Sequence, residues 1–297
     1  MPKDRGAGYS TVTPVKHHDL GYIIGTWIDL TAGPKFRGAP WAHPEFLYWD
    51  LNAGPGMVNG EMGSPLISLR EARVSGEPFR AWFHEKNLMS CDALRLTIAP
   101  DWGDRVTVVP GDHAVTVPDL IRTGVRGITR QAYGLAFSDP NGRDDLALDA
   151  LRAIAKRFPK VDFLLNLGAM NWKRIRSVGK PGRFLHEDLA QIPKRYIFVR
   201  RPVGPNQWTM FLFTDYKDAP RLKKLGFFDI ASPEGEAILR KLDLLPAEYY
   251  QSPLFDLAPL RRTRPIVNIS DIRATEQSGP MPSPDATASA SDAASSG

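Results

Sequence analysis

The chain reads as an α/β domain: an open, mainly parallel sheet covered by helices and finished at one edge by an antiparallel hairpin. Three observations predict it. Apolar runs of strand length alternate with segments of helical spacing. The run from Val161 to Leu167 is almost wholly apolar, as a strand buried on both faces must be. Tyr196 to Val199 and Trp208 to Thr214 flank a Gly204-Pro205-Asn206 turn, the pattern of an antiparallel pair.

Along the chain, residues 1–14 are polar and expected to be flexible. Leu20, Ile23, Ile24, Trp27 and Ile28 recur at helical spacing, predicting a helix from about Val15 to Leu30 that packs on the sheet. Phe46 to Trp49 is a short buried strand that runs into Asp50. A loop rich in Gly and Met follows, then a helix from Ser64 to about Val74, with Ser64 as N-cap and Pro65 at the first helical position. Phe79 to His84 is a strand ending at Glu85, Leu88 to Ala99 a helix, and Arg105 to Val109 a strand ending at Gly111-Asp112. Tyr133 to Ser138 is a strand ending in Asp139-Pro140-Asn141-Gly142. Leu146, Leu148, Leu151, Ile154, Ala155 and Phe158 mark an amphipathic helix that Pro159 terminates. Ser232-Pro233-Glu234 opens a last helix reaching about Leu242. The α/β domain is expected over residues 15–273. The stretch 274–297 is mostly Ser, Ala, Pro, Gly and Asp with almost no large apolar residue, and is expected to be disordered.

Composition narrows the chemistry. With one cysteine, Cys91, the chain forms no intramolecular disulfide and no multi-cysteine metal site. Cys91 falls among apolar neighbours and reads as core. His17-His18 and His84 have no partners at ligand spacing, so no metal is expected. The absence of a long apolar run predicts no membrane span, and the reading is a cytoplasmic protein. The net charge of +5 leans towards a nucleic-acid partner.

The most informative stretch is Asp50-Leu51-Asn52-Ala53-Gly54-Pro55-Gly56, an acidic strand end followed by a glycine-rich turn. Such a turn lets the backbone approach a nucleotide-like ligand, either a dinucleotide or S-adenosylmethionine. A dinucleotide fingerprint needs a third glycine, and that position is Asn59. S-adenosylmethionine carries an ammonium, a ribose diol and an adenine edge, each suited to a carboxylate. Parallel strands point their C-terminal ends at one crevice, so Asp50 is expected to take the ammonium, Glu85 the ribose and Asp112 the adenine amine, with Asp139 facing the methyl. Asn52, Ala53, Gly54, Pro55 and Gly56 complete the expected cofactor site. The same aspartates also suit helix N-caps and turns.

Taken together, the glycine turn, Gly63-Ser64-Pro65-Leu66 and Asp139-Pro140-Asn141-Gly142 resemble the three-Cys-motif partner family, grouped with the class I S-adenosylmethionine-dependent methyltransferases. The preceding helix with Lys16-His17, Tyr22 and Trp27 is similar too, and the resemblance spans roughly residues 14 to 245. It implies a Rossmann-like class I methyltransferase fold. The chain departs from the family at Asn52, where an apolar or aromatic residue is expected, and at Asn141, where an aromatic or proline is usual.

Amino-methyltransferases acting on bases carry an acidic or amide residue, two prolines and an aromatic after the fourth strand. Asp139-Pro140 resembles the first half of that device and Asn141-Gly142 lacks the second, so Asp139, Pro140 and Asn141 are the expected catalytic set. Trp172 with Lys173, Arg174, Arg176, Lys180 and Arg183 follows the fifth strand and reads as a nucleic-acid-binding loop, the indole stacking on a base. Two functions follow. One is an S-adenosylmethionine-dependent methyltransferase acting on a nucleic-acid base, with an amino group favoured. The other is a non-catalytic subunit of a nucleic-acid-processing or mobile-element system, with a protein partner encoded nearby.

Overall fold

The apolar runs pair into one sheet. The structure, a computed structural model, describes residues 13–32, 45–125, 127–140, 146–168, 189, 191–202, 208–216 and 219–242. In chain order the strands are β1 (Phe46–Asp50), β2 (Met57–Val58), β3 (Glu61–Met62), β4 (Phe79–Glu85), β5 (Val106–Pro110), β6 (Gly134–Ser138), β7 (Val161–Gly168), β8 (Tyr196–Arg200), β9 (Trp208–Thr214) and β10 (Phe227–Asp229). The helices are α1 (Thr13–Ala32), α2 (Ser64–Ser75), α3 (Leu88–Thr97), α4 (His113–Thr123), α5 (Leu148–Arg157), α6 (Ala219–Lys224) and α7 (Pro233–Lys241).

The main sheet runs β10-β8-β9-β7-β6-β1-β4-β5. From β7 through β6, β1 and β4 to β5 every pairing is parallel, whereas β9 is antiparallel to both β7 and β8, and β10 to β8. This is the Rossmann-like class I arrangement with an antiparallel edge. The chain leaves β1 towards β4 on one side and later returns to β6 on the other. The crevice outside the C-terminal ends of β1 and β6 is therefore the topological switch point, where open α/β sheets bind ligands.

Side-chain alternation divides the core in two. Leu47 and Trp49 of β1 face one layer, where Leu151, Ile154 and Phe158 of the α5 region and Ile238 of α7 pack. Phe46 and Tyr48 face the other, beneath Leu20, Ile23, Ile24, Trp27 and Ile28 of α1 and Ile67 of α2. Trp49 stacks on Trp82 at 4.7 Å and meets Phe158 at 5.5 Å. An ion pair between Asp19 and Arg200 ties α1 to β8. Polar residues interrupt this pattern at two places in β7, Asp162 and Asn166, both buried on the α1 side. Asp162 pairs with the buried Lys194 ammonium at 3.0 Å, which also bonds the Pro159 carbonyl at 2.8 Å.

Four local details differ from the sequence reading. The cap of α2 is Gly63, with no side-chain cap bond, so Ser64 is the first helical residue and its hydroxyl is free for another partner. The loop after the glycine turn is a hairpin, β2 and β3, turning through Asn59 (φ +51°) and Gly60 (φ +83°). The segment after Asp112 forms α4 although Pro118 lies inside it. α6 and β10 are short additions at the edge. Among the described residues no helix is long and apolar enough to cross a membrane.

Candidate active site

Strand periodicity places the site. Phe46 and Tyr48 face α1 in β1, Ala81 and Phe83 in β4, Leu135 and Phe137 in β6, and Leu164 in β7. Stepping by two from these residues puts Asp50, Glu85, Asp139 and Asn166 on the same face, at the C-terminal edge. Asp50 is level with Phe137, and Leu165 with Ser138, so the group converges on the switch point.

The glycine turn is tied down from both sides. Ala53 N–H donates to the His84 carbonyl at 3.0 Å, and Gly54 N–H to Glu85 Oε2 at 2.8 Å. On the β6 side, Asn52 Oδ1 accepts from Ser138 Oγ at 2.8 Å and from the Asp139 N–H at 3.1 Å. Asn52 thus clamps the turn to the end of β6 that carries Asp139. Gly54 (φ +67°) and Gly56 (φ +82°) are in the left-handed region. A Cβ on Gly56 would lie 2.8 Å from both Leu94 Cδ1 and Thr97 Oγ1, while one on Gly54 would meet only open space. The β2–β3 hairpin then brings Gly63 back to donate to the Gly56 carbonyl at 2.6 Å, delivering the N-terminus of α2 to the turn. Asn59 is a hairpin residue, so no helix leaves the glycine turn directly as a pyrophosphate site requires.

Asp50 is completely buried. Burial pushes its carboxyl up to about 7; hydrogen bonds from the Ser64 side chain and the Asn52 N–H oppose this, and the Asp139 and Glu85 charges add to it. Oδ1 accepts from Asn52 N–H at 3.2 Å, and Oδ2 is buried without a hydrogen-bond partner. Glu85 uses each oxygen once, towards Gly54 N–H and towards Asn87 N–H at 2.7 Å, leaving lone pairs on both. Asp112 caps α4, accepting from Ala114 N–H at 2.9 Å, and pairs with Lys86 at 3.2 Å. These contacts hold its carboxyl below the usual range. It stands one strand beyond Glu85, in the capping role that its sequence context also allowed.

Asp139 is half-buried and both its oxygens are engaged. Oδ1 accepts from Asn166 Nδ2 at 2.6 Å, and Oδ2 pairs with Lys16 from the first turns of α1. Asn166 Oδ1 and His17 Nδ1 are buried without hydrogen-bond partners. Burial and the Lys16 charge lower the His17 pKa, against the opposing pull of Asp139 and Glu61. Pro140 is buried. Asn141 and Trp172, Lys173, Arg174, Arg176, Lys180 and Arg183 lie outside the described residues.

The sequence reading did not assign Lys16, His17, Ser64, Ser138 or Asn166 to the site. A signal existed for Asn166, a polar residue inside an apolar strand, and for Lys16-His17 at the front of an apolar-striped helix. On the opposite side of β4, His84 is buried, with Nδ1 bonded to Thr116 Oγ1 at 2.8 Å and Nε2 without a partner. Its pKa is driven down to about 3, mainly by burial. Among the described residues no group of three or more His, Cys, Asp or Glu could hold a metal ion.

No family model matches this chain, and no curated protein matches it. Solved structures do. A Legionella pneumophila str. Philadelphia 1 protein of the DUF519 family is 12% identical over 71% of this chain and 88% of that chain, with a TM-score of 0.46. The methyltransferase domain of METTL16 is 12% identical over 66% of this chain and 67% of that chain, with a TM-score of 0.44. Human methyltransferase-like protein 13, solved with S-adenosylhomocysteine, is 15% identical over 86% of this chain and 99% of that chain, with a TM-score of 0.44. The fold assignment rests on the strand order and pairing described above.

Proposed function

We propose that this chain is an S-adenosylmethionine-dependent methyltransferase whose acceptor is an amino group, on a nucleic-acid base. The observation that carries the cofactor is Asp50: a buried carboxylate oxygen without a partner, beside a glycine turn at the switch point. An ammonium group is the natural complement to that oxygen. It would satisfy the orphaned acceptor and favour the charged form that burial alone opposes.

Around it, Glu85 has lone pairs for two ribose hydroxyls while its backbone partners fix its orientation. Open space at Gly54 leaves room for the ligand against the turn, in which Asn52, Ala53, Pro55 and Gly56 set the backbone. Asp112 would accept from the adenine amine with a lone pair that its cap and Lys86 bonds leave. When bound, the cofactor supplies an electrophilic methyl group. Asp139, held by Asn166 and by the Asn52 clamp, orients an acceptor amine by accepting its protons, with the Pro140 carbonyl as second acceptor; catalysis is then mostly positioning. Asn141 would complete the catalytic set with Asp139 and Pro140, and the basic loop from Trp172 to Arg183 would contact the nucleic acid, in keeping with the net charge of +5.

Calorimetry with S-adenosylmethionine and with NAD tests this reading. Binding of the first and not the second supports it; no binding of either S-adenosylmethionine or its product would overturn it. Transfer of a labelled methyl to DNA or RNA then tests the acceptor class.

A further inference from the structure

The first turns of α1 bring a primary amine to the carboxylate given above to the acceptor. We propose that Lys16 is itself a methyl acceptor of this site, a self-modification residue; the inference rests on the methyltransferase reading.

Geometry supports it. Lys16 Nζ contacts Asp139 Oδ2, and its side chain is only 18% exposed, so the amine is held at the switch point rather than in solvent. The opposite oxygen of Asp139 holds Asn166, whose own Oδ1 is buried and lacks a partner. Asn166 thus keeps an unused amide acceptor on a side chain bonded to Asp139. His17 follows directly in sequence, with Nδ1 buried and unpartnered, so a second polar atom without a partner lies on the same turn of the helix. Thr13–Ala32 is a packed helix fixed to β8 through Asp19 and Arg200, so the amine is presented by a rigid element. A tethered nucleophile needs no diffusional encounter, which is the condition under which an intramolecular acceptor competes best.

The step balances as a simple displacement. Nζ first loses a proton through Asp139, the group it contacts, to water. Its lone pair forms the new N–C bond as the methyl–sulfur bond breaks, the bonding pair stays on sulfur, and S-adenosylhomocysteine leaves neutral at sulfur. A purely structural ion pair between Lys16 and Asp139 gives no such product.

The test incubates the full chain with S-adenosylmethionine carrying a deuterated methyl group. Intact mass and peptide mapping follow, with calorimetry of S-adenosylmethionine on the same preparation. The expected result is cofactor binding, labelled methyl on the peptide containing Lys16, and a rate constant independent of protein concentration. Lys16→Arg should bind the cofactor and take no label, and Asp139→Asn should slow labelling by about a hundredfold, the usual scale for a lost proton-handling group. Cofactor binding with no label at Lys16, or label only at other residues, overturns this inference and leaves the cofactor reading standing. Failure to bind S-adenosylmethionine at all overturns both.

Discussion

Replacing Asp50 by asparagine keeps the shape of the side chain and removes its charge, so the variant isolates the cost of burying that carboxylate. The carboxyl is raised from 3.8 to about 7 in the folded protein, with burial as the leading cause. A raised folded value means that the folded state keeps a proton which the unfolded chain has already lost. The associated stability is complete below the unfolded value of 3.8 and is lost progressively as pH rises to about 7, above which the loss is constant. At about 1.4 kcal/mol per unit, the full loss is about 4 kcal/mol, an upper bound because a buried site relaxes. Asp50→Asn escapes it. The unfolding free energy of the variant minus that of the natural protein should therefore grow by about 3 kcal/mol between about pH 4.5 and about pH 8. Urea denaturation followed by tryptophan fluorescence at a series of pH values measures the difference directly. A flat difference across that range would refute the claim that Asp50 is buried without a charged partner.

The remaining expectations concern the same site and its supports. Below about pH 7, binding of S-adenosylmethionine should release close to one proton from Asp50, because an ammonium favours the anion; calorimetry in buffers of different ionisation enthalpy reads this, and no buffer dependence would contradict it. Asn52→Ala removes the clamp to Ser138 and Asp139 and should cost about 2 kcal/mol, visible as a lower denaturation midpoint. For His84, with a folded value of about 3 against 6.5 unfolded, stability is present above 6.5 and lost as pH falls below it. His84→Gln should lessen that acid-side loss, and an unchanged acid profile would count against it. Lys194→Met strands the buried Asp162 carboxylate and should cost about 3 kcal/mol, more at high pH than at low.

Much of the architecture was legible because it follows from one-dimensional patterns. The mostly apolar run at Val161 to Leu167 is β7, and the helical stripe from Leu20 to Ile28 is the core face of α1. Asp50 and Glu85 also follow from pattern, since both end a strand and strand parity puts them on one face. What was missed depended on contacts distant in sequence or on competing local signals. Asn59-Gly60 is a strong hairpin signal, but read against a dinucleotide fingerprint it registered only as a missing glycine. Ser64 looks like an N-cap by residue type, yet Gly63 takes that position and leaves the hydroxyl for Asp50. The stretch that forms α4 carries Pro118, and a proline in a helix interior normally argues against a helix. Lys16 meets Asp139 across a separation of 123 residues, which no local pattern encodes. Asn166 stood out as a polar residue inside an apolar strand, but its partner Asp139 lies on the neighbouring strand end.

The central claim is that the crevice between β1 and β6 holds S-adenosylmethionine through Asp50. Calorimetric titration of the natural protein and of Asp50→Ala with S-adenosylhomocysteine tests it most directly. The product keeps the ammonium, ribose and adenine and cannot react. The natural protein should bind saturably and Asp50→Ala should lose affinity by about tenfold or more, the scale of one charge-assisted hydrogen bond. Equal affinity for both proteins, or none for the natural protein, would contradict it.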